Sequence, residues 1–203
     1  WFGERKYNWG NMEYDTPWVF LNEFIRGGGT AWFELGAQAA QHLIDVDTCH
    51  ASFGAIAAGD QMTHSMGHVG SFYPQGYREM AKTEGTTTVA HTWVEGLFLY
   101  HGLTGDRRAL EAATGACDNL TRDVDARSYN FSNCRNPGWL LIHLCAGYRA
   151  TLEKLYLRAA HIVVERVLER QRATGGWERM MILGHCYCDP PRHRGNAAFM
   201  VSL

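Results

Sequence analysis

The chain has 203 residues, of which 46% are hydrophobic and 20% are charged, a composition typical of a folded globular domain and not of a disordered chain. Its 19 basic and 21 acidic side chains leave a net charge of −2, which offers no electrostatic footprint for nucleic acid or an anionic membrane surface. No apolar run is long enough to span a bilayer, so we expect neither nucleic acid nor membrane as a partner.

Three stretches share one plan, which is an apolar helix, a short turn and an Ala-rich helix. The stretches start at residues 17, 92 and 137, their turns fall at 27–29, 103–106 and 148–150, and their second helices cover 31–46, 107–124 and 151–171. Each stretch begins with Pro or a polar cap and breaks at Gly or a polar turn, as helix ends do. In the third stretch, three- and four-residue steps place apolar side chains on one helical face: Leu152, Leu155, Tyr156, Ala159, Val163 and Val167.

Helical hairpins of this kind stack into solenoids or close into toroids. The uneven spacing of the three starts favours a toroid, which accepts long loop insertions at one mouth. We therefore expect an all-α fold, a single partial (α/α) toroid domain over 1–203, with a loop-rich insertion at about 48–90. The chain starts at Trp1 without Met and stops inside an apolar run at Leu203, so we expect a fragment of a larger protein with an exposed apolar flank.

The six cysteines stand at 49, 117, 134, 145, 186 and 188, with no repeated framework spacing. This pattern favours buried free thiols. Disulfides are the alternative if the protein is exported.

Polar reactive groups are concentrated in four segments: residues 7–15, 45–50, 64–77 and 184–194, with His91 following the third. Asp15 or Thr16 before Pro17 is an ordinary helix N-cap arrangement. Asp45 and Asp47 end a helix at its unfavourable C-terminus, which suggests that they order a nearby imidazole such as that of His50.

Two of these segments contain metal-ligand residue types. His64 and His68 are four residues apart, but Gly67 and Gly70 oppose a helix there, so the pair fits backbone hydrogen bonding or proton transfer better than a metal site. The second set has Cys-x-Cys, which is not the usual zinc spacing: His185, Cys186, Cys188 and His193. We expect no cofactor, with zinc or another divalent metal as the alternative.

Five strings together resemble the C-terminal α/α-toroid of rhamnogalacturonan exolyase-like polysaccharide lyases. They are Tyr7-Asn8-Trp9-Gly10-Asn11-Met12-Glu13-Tyr14-Asp15, Asp45-Val46-Asp47-Thr48-Cys49-His50, Gly67-His68-Val69-Gly70, His91-Thr92-Trp93-Val94-Glu95-Gly96, and Gly184-His185-Cys186 continuing to Gly195-Asn196-Ala197-Ala198-Phe199-Met200. The resemblance implies β-sandwich domains elsewhere in the full protein and a secreted or periplasmic location. It also implies a pectic, uronic-acid-containing polysaccharide or oligosaccharide as the substrate.

A lyase that cleaves by β-elimination needs a group that neutralises the uronate, a base for the C5 proton and an acid for the leaving oxygen. The candidates for base and acid are His68, His91, Tyr73 and His64. The candidates for substrate binding are Asn11, Glu13, Tyr14, Tyr77, Trp93 and Arg194, a set in which Asn11 and Arg194 suit the carboxylate. Aromatic rings among them suit the apolar faces of sugars.

Two other functions fit the same sequence. A glycoside hydrolase on the same toroid would use a carboxylate pair drawn from Glu13, Asp47 and Glu95. A toroid that only binds glycans or partners, without catalysis, is the second alternative.

Overall fold

The computed structural model describes Met12 and residues 14–52, 56–61, 89–126 and 134–177. Helix accounts for 75% of these residues, and no strand occurs among them, which confirms the all-α prediction. The α-helices in this part of the chain are α1 (Thr16–Glu23), α2 (Thr30–His42), α3 (Glu95–Thr104), α4 (Arg107–Ala126), α5 (Arg135–Thr151) and α6 (Lys154–Leu168).

The chain forms two compact units, residues 1–119 and 120–203, and the division falls within α4. Unit 1 contains α1, α2, α3 and most of α4. Unit 2 contains the end of α4 with α5 and α6. The toroid, the single domain and the insertion at 48–90 stay predictions.

The first predicted hairpin is confirmed by α1 and α2. The chain reverses at glycines with positive φ, Gly27 at 96° and Gly29 at 90°, values that side chains with a Cβ rarely adopt. The ring centroids of Phe24 and Phe33 then lie 5.2 Å apart across the hairpin. A π-helical turn, Leu43–Asp47, continues α2 to the start of the loop.

The second hairpin, α3 and α4, is also confirmed. Its turn uses Gly105 at φ 76°, and the Asp106 carboxylate accepts a hydrogen bond of 2.9 Å from the Arg108 amide. The first turn of α3 packs against the first turn of α1, where Gly96 lies beside Pro17. The starts of α1 and α3 and the end of α2 therefore share one end of unit 1.

In the third hairpin, α5 and α6, the predicted turn at 148–150 is wrong. Helix α5 continues to Thr151, and the chain reverses at Leu152, whose φ of 60° places it in the left-handed region. The Glu153 carboxylate then caps α6 by accepting from the Leu155 amide at 3.2 Å. Because leucine rarely adopts this conformation, the sequence gives no sign that the helix ends at this residue.

This reversal changes which apolar side chains of the third hairpin are buried. Tyr156, Ala159 and Val163 are buried as predicted, whereas Leu152 is 71% exposed and Leu155 is 40% exposed. Both exposed leucines belong to the turn and the first residues of α6. The predicted face therefore begins one turn later than the leucine pattern indicated.

The cysteines of the described residues are free thiols, as predicted. Cys49, Cys117 and Cys134 are buried and Cys145 is partly exposed. Burial raises the pKa of the Cys49 thiol to about 11, so this thiol stays protonated at neutral pH. Cys186 and Cys188 lie outside the described residues.

Five apolar side chains of the first hairpin are exposed: Trp18, Val19, Ile25, Trp32 and Leu35. The apolar flank of a fragment stays a prediction. Among the helices that the structure describes, none has the length and hydropathy needed to cross a bilayer.

The close approach of α1 and α2 yields the first test. A Cβ atom on Gly36 would lie 2.7 Å from both Cγ and Cδ2 of Leu21, which is itself fully buried. We expect Gly36→Ala to lower the free energy of unfolding by about 1–3 kcal/mol, because overpacking outweighs the helix propensity of Ala.

Gly102 is the matched control because it lies in α3 with open space around it. Gly102→Ala should raise the free energy of unfolding by about 0.5–1 kcal/mol. Urea denaturation of both variants measures the difference. Equal effects of the two substitutions would contradict the packing of α1 on α2.

Candidate functional site

Three of the residues predicted from the sequence meet where α1 and α3 begin. The ring centroids of Tyr14 and Trp93 are 6.0 Å apart, and those of His91 and Trp93 are also 6.0 Å apart, in an edge-on arrangement. Trp93 is fully buried, His91 is 8% exposed and Tyr14 is 50% exposed. We call Tyr14, His91 and Trp93 the aromatic corner. It reaches solvent mainly through Tyr14.

The backbone of Trp93 is held by the side chain of Gln61. The Trp93 amide donates to Gln61 Oε1 at 2.7 Å, and Gln61 Nε2 donates to the Trp93 carbonyl at 2.9 Å. Gln61 is 1% exposed and also pairs with Thr48 through an isolated antiparallel bridge. A buried carboxamide that both donates and accepts in this way fixes the segment that carries His91 and Trp93.

Asp15 holds the other end of this segment. Its carboxylate accepts from the Trp18 amide at 3.3 Å, which is the predicted N-cap of α1. The same carboxylate accepts from the Gly96 amide at 3.2 and 3.0 Å, and so caps α3 as well. A Cβ at position 96 would collide with the carboxylate, so glycine is required there.

The two residues immediately before α1 have left-handed backbone conformations. Tyr14 has φ 61° and Asp15 has φ 57°. Such conformations cost roughly 1–2 kcal/mol per residue with a Cβ, less for Asp than for Tyr. They turn the chain so that Tyr14 reaches Trp93 while Asp15 reaches Gly96. This strained turn therefore places the Tyr14 ring and the Asp15 helix cap next to each other.

The electrostatics of the corner are dominated by Asp15. Burial raises the pKa of this carboxyl to about 7, and the nearby negative charge of Glu95 adds to the rise. Hydrogen bonds from the backbone amides of Gly96 and Trp18 oppose it. Asp15 is therefore a group whose charge changes near neutral pH inside the site.

An imidazole–carboxylate pair lies where α2 ends and the Leu43–Asp47 turn follows. Nε2 of His42 is 3.7 Å from Oδ1 of Asp47, a carboxylate that is fully buried. The sequence suggested that Asp45 and Asp47 order an imidazole such as that of His50, and the imidazole beside Asp47 is that of His42 instead. His50 Nε2 contacts the Ile44 carbonyl at 2.6 Å, and Asp45 pairs with Arg108.

Most of the predicted site residues lie outside the described residues: Asn11, Glu13, His64, His68, Tyr73, Tyr77 and Arg194. The possible zinc ligands also lie outside: His185, Cys186, Cys188 and His193. In the described ranges, His, Cys, Asp and Glu side chains nowhere gather in threes that could hold a metal ion.

Two features of the corner were missed by sequence reasoning. Gln61 stands alone in a loop, and its partner is 32 residues away, so no local pattern identifies it. The capping of α3 by Asp15 joins residues 81 apart. In unit 2, a stack of Trp139 on buried His143, with centroids 5.4 Å apart, was also missed, although the four-residue spacing could have indicated it.

In its chemistry, the corner combines an imidazole for proton transfer with aromatic rings for the apolar face of a ligand. The carboxylates beside it, Asp15 and Glu95, add negative charge. Because Asp15 accepts backbone hydrogen bonds at both oxygens, its first role is to position the corner.

Asp15→Asn tests the charge of this carboxyl through the pH dependence of stability. Because the pKa is about 7 in the folded protein and near 3.8 in the unfolded chain, the folded state binds the proton more tightly between these values. Wild-type stability should then fall as pH rises from 4 to 7, by up to about 1.4 kcal/mol per pH unit from this group.

Asparagine keeps an acceptor and tolerates the left-handed backbone, but carries no charge. The Asn variant should therefore gain stability relative to wild type between pH 5 and pH 8, measured by urea denaturation at both values. Glu34→Gln, an exposed position on α2, is the control and should show no such gain. A constant difference between Asp15→Asn and wild type across this range would contradict the raised pKa.

No protein-family model, no curated protein and no solved structure matches the chain.

Proposed function

We propose that the chain belongs to a secreted carbohydrate-active enzyme, a polysaccharide lyase that cleaves uronic-acid-containing, pectic polysaccharide by β-elimination. The observation that carries the proposal is the meeting of His91, Trp93 and Tyr14 at one end of unit 1. An imidazole beside aromatic rings provides a base and a sugar-stacking surface together. The proposal includes a toroid whose mouth lies at this end.

In the proposed reaction, a base removes the C5 proton of a uronate and an acid protonates the departing O4 oxygen. His91 or His68 is the base, Tyr73 is the acid, and Asn11 helps to neutralise the uronate carboxylate. His91 suits the role of base because imidazole exchanges a proton near neutral pH. Its T-shaped contact with Trp93 and its small exposed surface limit the orientations of the His91 ring.

The substrate approaches this corner across Tyr14, the exposed member of the three rings. A sugar ring has an apolar C–H face and a polar rim, so the phenol ring can contact the face while its hydroxyl meets the rim. Trp93 supports Tyr14 from the buried side at 6.0 Å. A ring held in this way binds a sugar with little loss of side-chain freedom.

One observation favours a glycoside hydrolase as the second candidate. Asp15 has a pKa raised to about 7 and feels the charge of Glu95, and a protonated acid beside a second carboxylate is what glycoside hydrolysis needs. Asp15, however, is 4% exposed and accepts hydrogen bonds from two helix starts. A carboxyl engaged in this way cannot readily deliver its proton to a glycosidic oxygen, so the lyase is the better proposal.

His91→Ala tests the proposed base. Loss of a true proton-transfer group should lower kcat by about 10²–10⁴-fold on pectic polymers, with little change in KM or melting temperature. The unsaturated product of β-elimination absorbs ultraviolet light, which gives a continuous assay of the full-length enzyme. Reducing sugar released without this absorbance would indicate the hydrolase instead.

Exposed His161 on α6 supplies the control variant, and His161→Ala should keep wild-type turnover. Parallel His68→Ala and Tyr73→Phe variants separate the two candidate bases and the acid. The base assignment is wrong if His91→Ala and His68→Ala both retain near-native turnover. If kcat falls only in step with melting temperature, His91 supports the fold and transfers no proton.

Tyr14→Ala tests the sugar-stacking surface. Removing the ring should raise KM by about 2- to 10-fold, corresponding to roughly 0.5–1.5 kcal/mol of aromatic contact, and leave kcat nearly unchanged. Tyr14→Phe keeps the ring and should stay close to wild type in KM. An unchanged KM in Tyr14→Ala, measured by initial rates, would place the substrate elsewhere.

A further inference from the structure

The segment from His91 to Gly96 contributes two rings to the aromatic corner and is anchored by side chains that come from distant parts of the chain. Asp15 binds the amide of Gly96, and Gln61 binds both the amide and the carbonyl of Trp93. Gln61 has no ring and no charge, and at 1% exposure it does not reach solvent. Both of its hydrogen bonds to this segment are made to backbone groups of Trp93.

We propose that Gln61 is a positioning residue for His91 and Trp93, which acts by fixing the backbone of Trp93. This inference rests on the proposed function, since it assigns Gln61 a role in the turnover of that site. Gln61 directly follows the turn of residues 57–60, and its own backbone pairs with Thr48, which follows the Leu43–Asp47 turn. Gln61 thus links the chain after the Leu43–Asp47 turn to the segment that carries the rings of the corner.

The geometry explains why a carboxamide occupies this position. An ionised glutamate could accept from the Trp93 amide but would present a charged oxygen to the Trp93 carbonyl, and a lysine could donate but not accept. Only a side chain with one acceptor and one donor satisfies both buried backbone groups at 2.7 and 2.9 Å. A shift of about 1 Å in a positioned catalytic group can lower the rate by a factor of about 10². Loss of this clamp, the pair of hydrogen bonds from Gln61 to Trp93, should therefore lower kcat.

Asn119 offers a matched control in the same region. Its carboxamide donates to the Ala58 carbonyl at 2.6 Å and is also largely buried, at 6% exposure. It therefore ties the neighbouring turn to α4 without touching the backbone of Trp93. Asn119→Ala should lower stability but leave turnover within about twofold once the protein is folded.

The test uses Gln61→Met, which keeps the length of the side chain and removes both hydrogen bonds, and Gln61→Glu, which removes only the donor. Amide hydrogen exchange at Trp93 should accelerate by about tenfold or more in Gln61→Met. The NMR signals of the His91 imidazole and the Trp93 indole should shift in both variants. In the full-length enzyme, kcat on pectic polymer should fall by roughly 10- to 100-fold with KM nearly constant, and the pH profile of kcat should move.

The outcomes separate the inference from the proposed function. If wild-type protein shows no elimination activity, the proposed function fails, and shifted His91 and Trp93 signals in Gln61→Met would still support the positioning role. If those signals stay at their wild-type values, or if Trp93 exchange is unchanged, the clamp is absent in solution and the inference is overturned. Activity that falls equally in Gln61→Met and Asn119→Ala overturns it as well. If Gln61→Met does not fold, Gln61→Glu carries the same NMR and kinetic comparison.

Discussion

The carboxylate of Asp15 is the contact on which the rest of unit 1 depends. The first amide groups of any helix lack partners within the helix, and here one side chain satisfies such groups in α1 and α3 together. Pro17 lowers the number of amide hydrogens that need a partner at the start of α1, because proline has none. Two helices that are far apart in sequence therefore start at one point, and the rings of the aromatic corner are arranged around that point.

A second anchor lies at Trp93. Gln61 holds Trp93 three residues before Gly96, so the loop into α3 is fixed at two positions by side chains from outside the segment. Both contacts close long loops, over 32 and 81 residues, and closing them costs conformational entropy. The α1–α2 hairpin is local by contrast, with Leu21 packed against Gly36.

The sequence predicted the helical hairpins well because their information is local. Apolar periodicity and the glycines at 27, 29 and 105 marked the helices and two of the three turns. It failed at Leu152, where a left-handed leucine ends a helix without glycine. For the site, it selected Tyr14, His91 and Trp93 by residue type. It missed Gln61 and the second role of Asp15, because contacts over 32 and 81 residues leave no local pattern.

A neutral cap would avoid the cost of a buried charge, so the use of aspartate at position 15 needs a reason. Serine or threonine offers one oxygen, and asparagine offers one acceptor with a donor that would face amide hydrogens. A carboxylate has two acceptor oxygens and can serve both helices, and the positive ends of two helix dipoles partly offset its desolvation. The remaining cost appears as a pKa raised to about 7 and as left-handed backbone at Tyr14 and Asp15. Both costs therefore fall on the two residues that bring the starts of α1 and α3, and the rings around them, to one point.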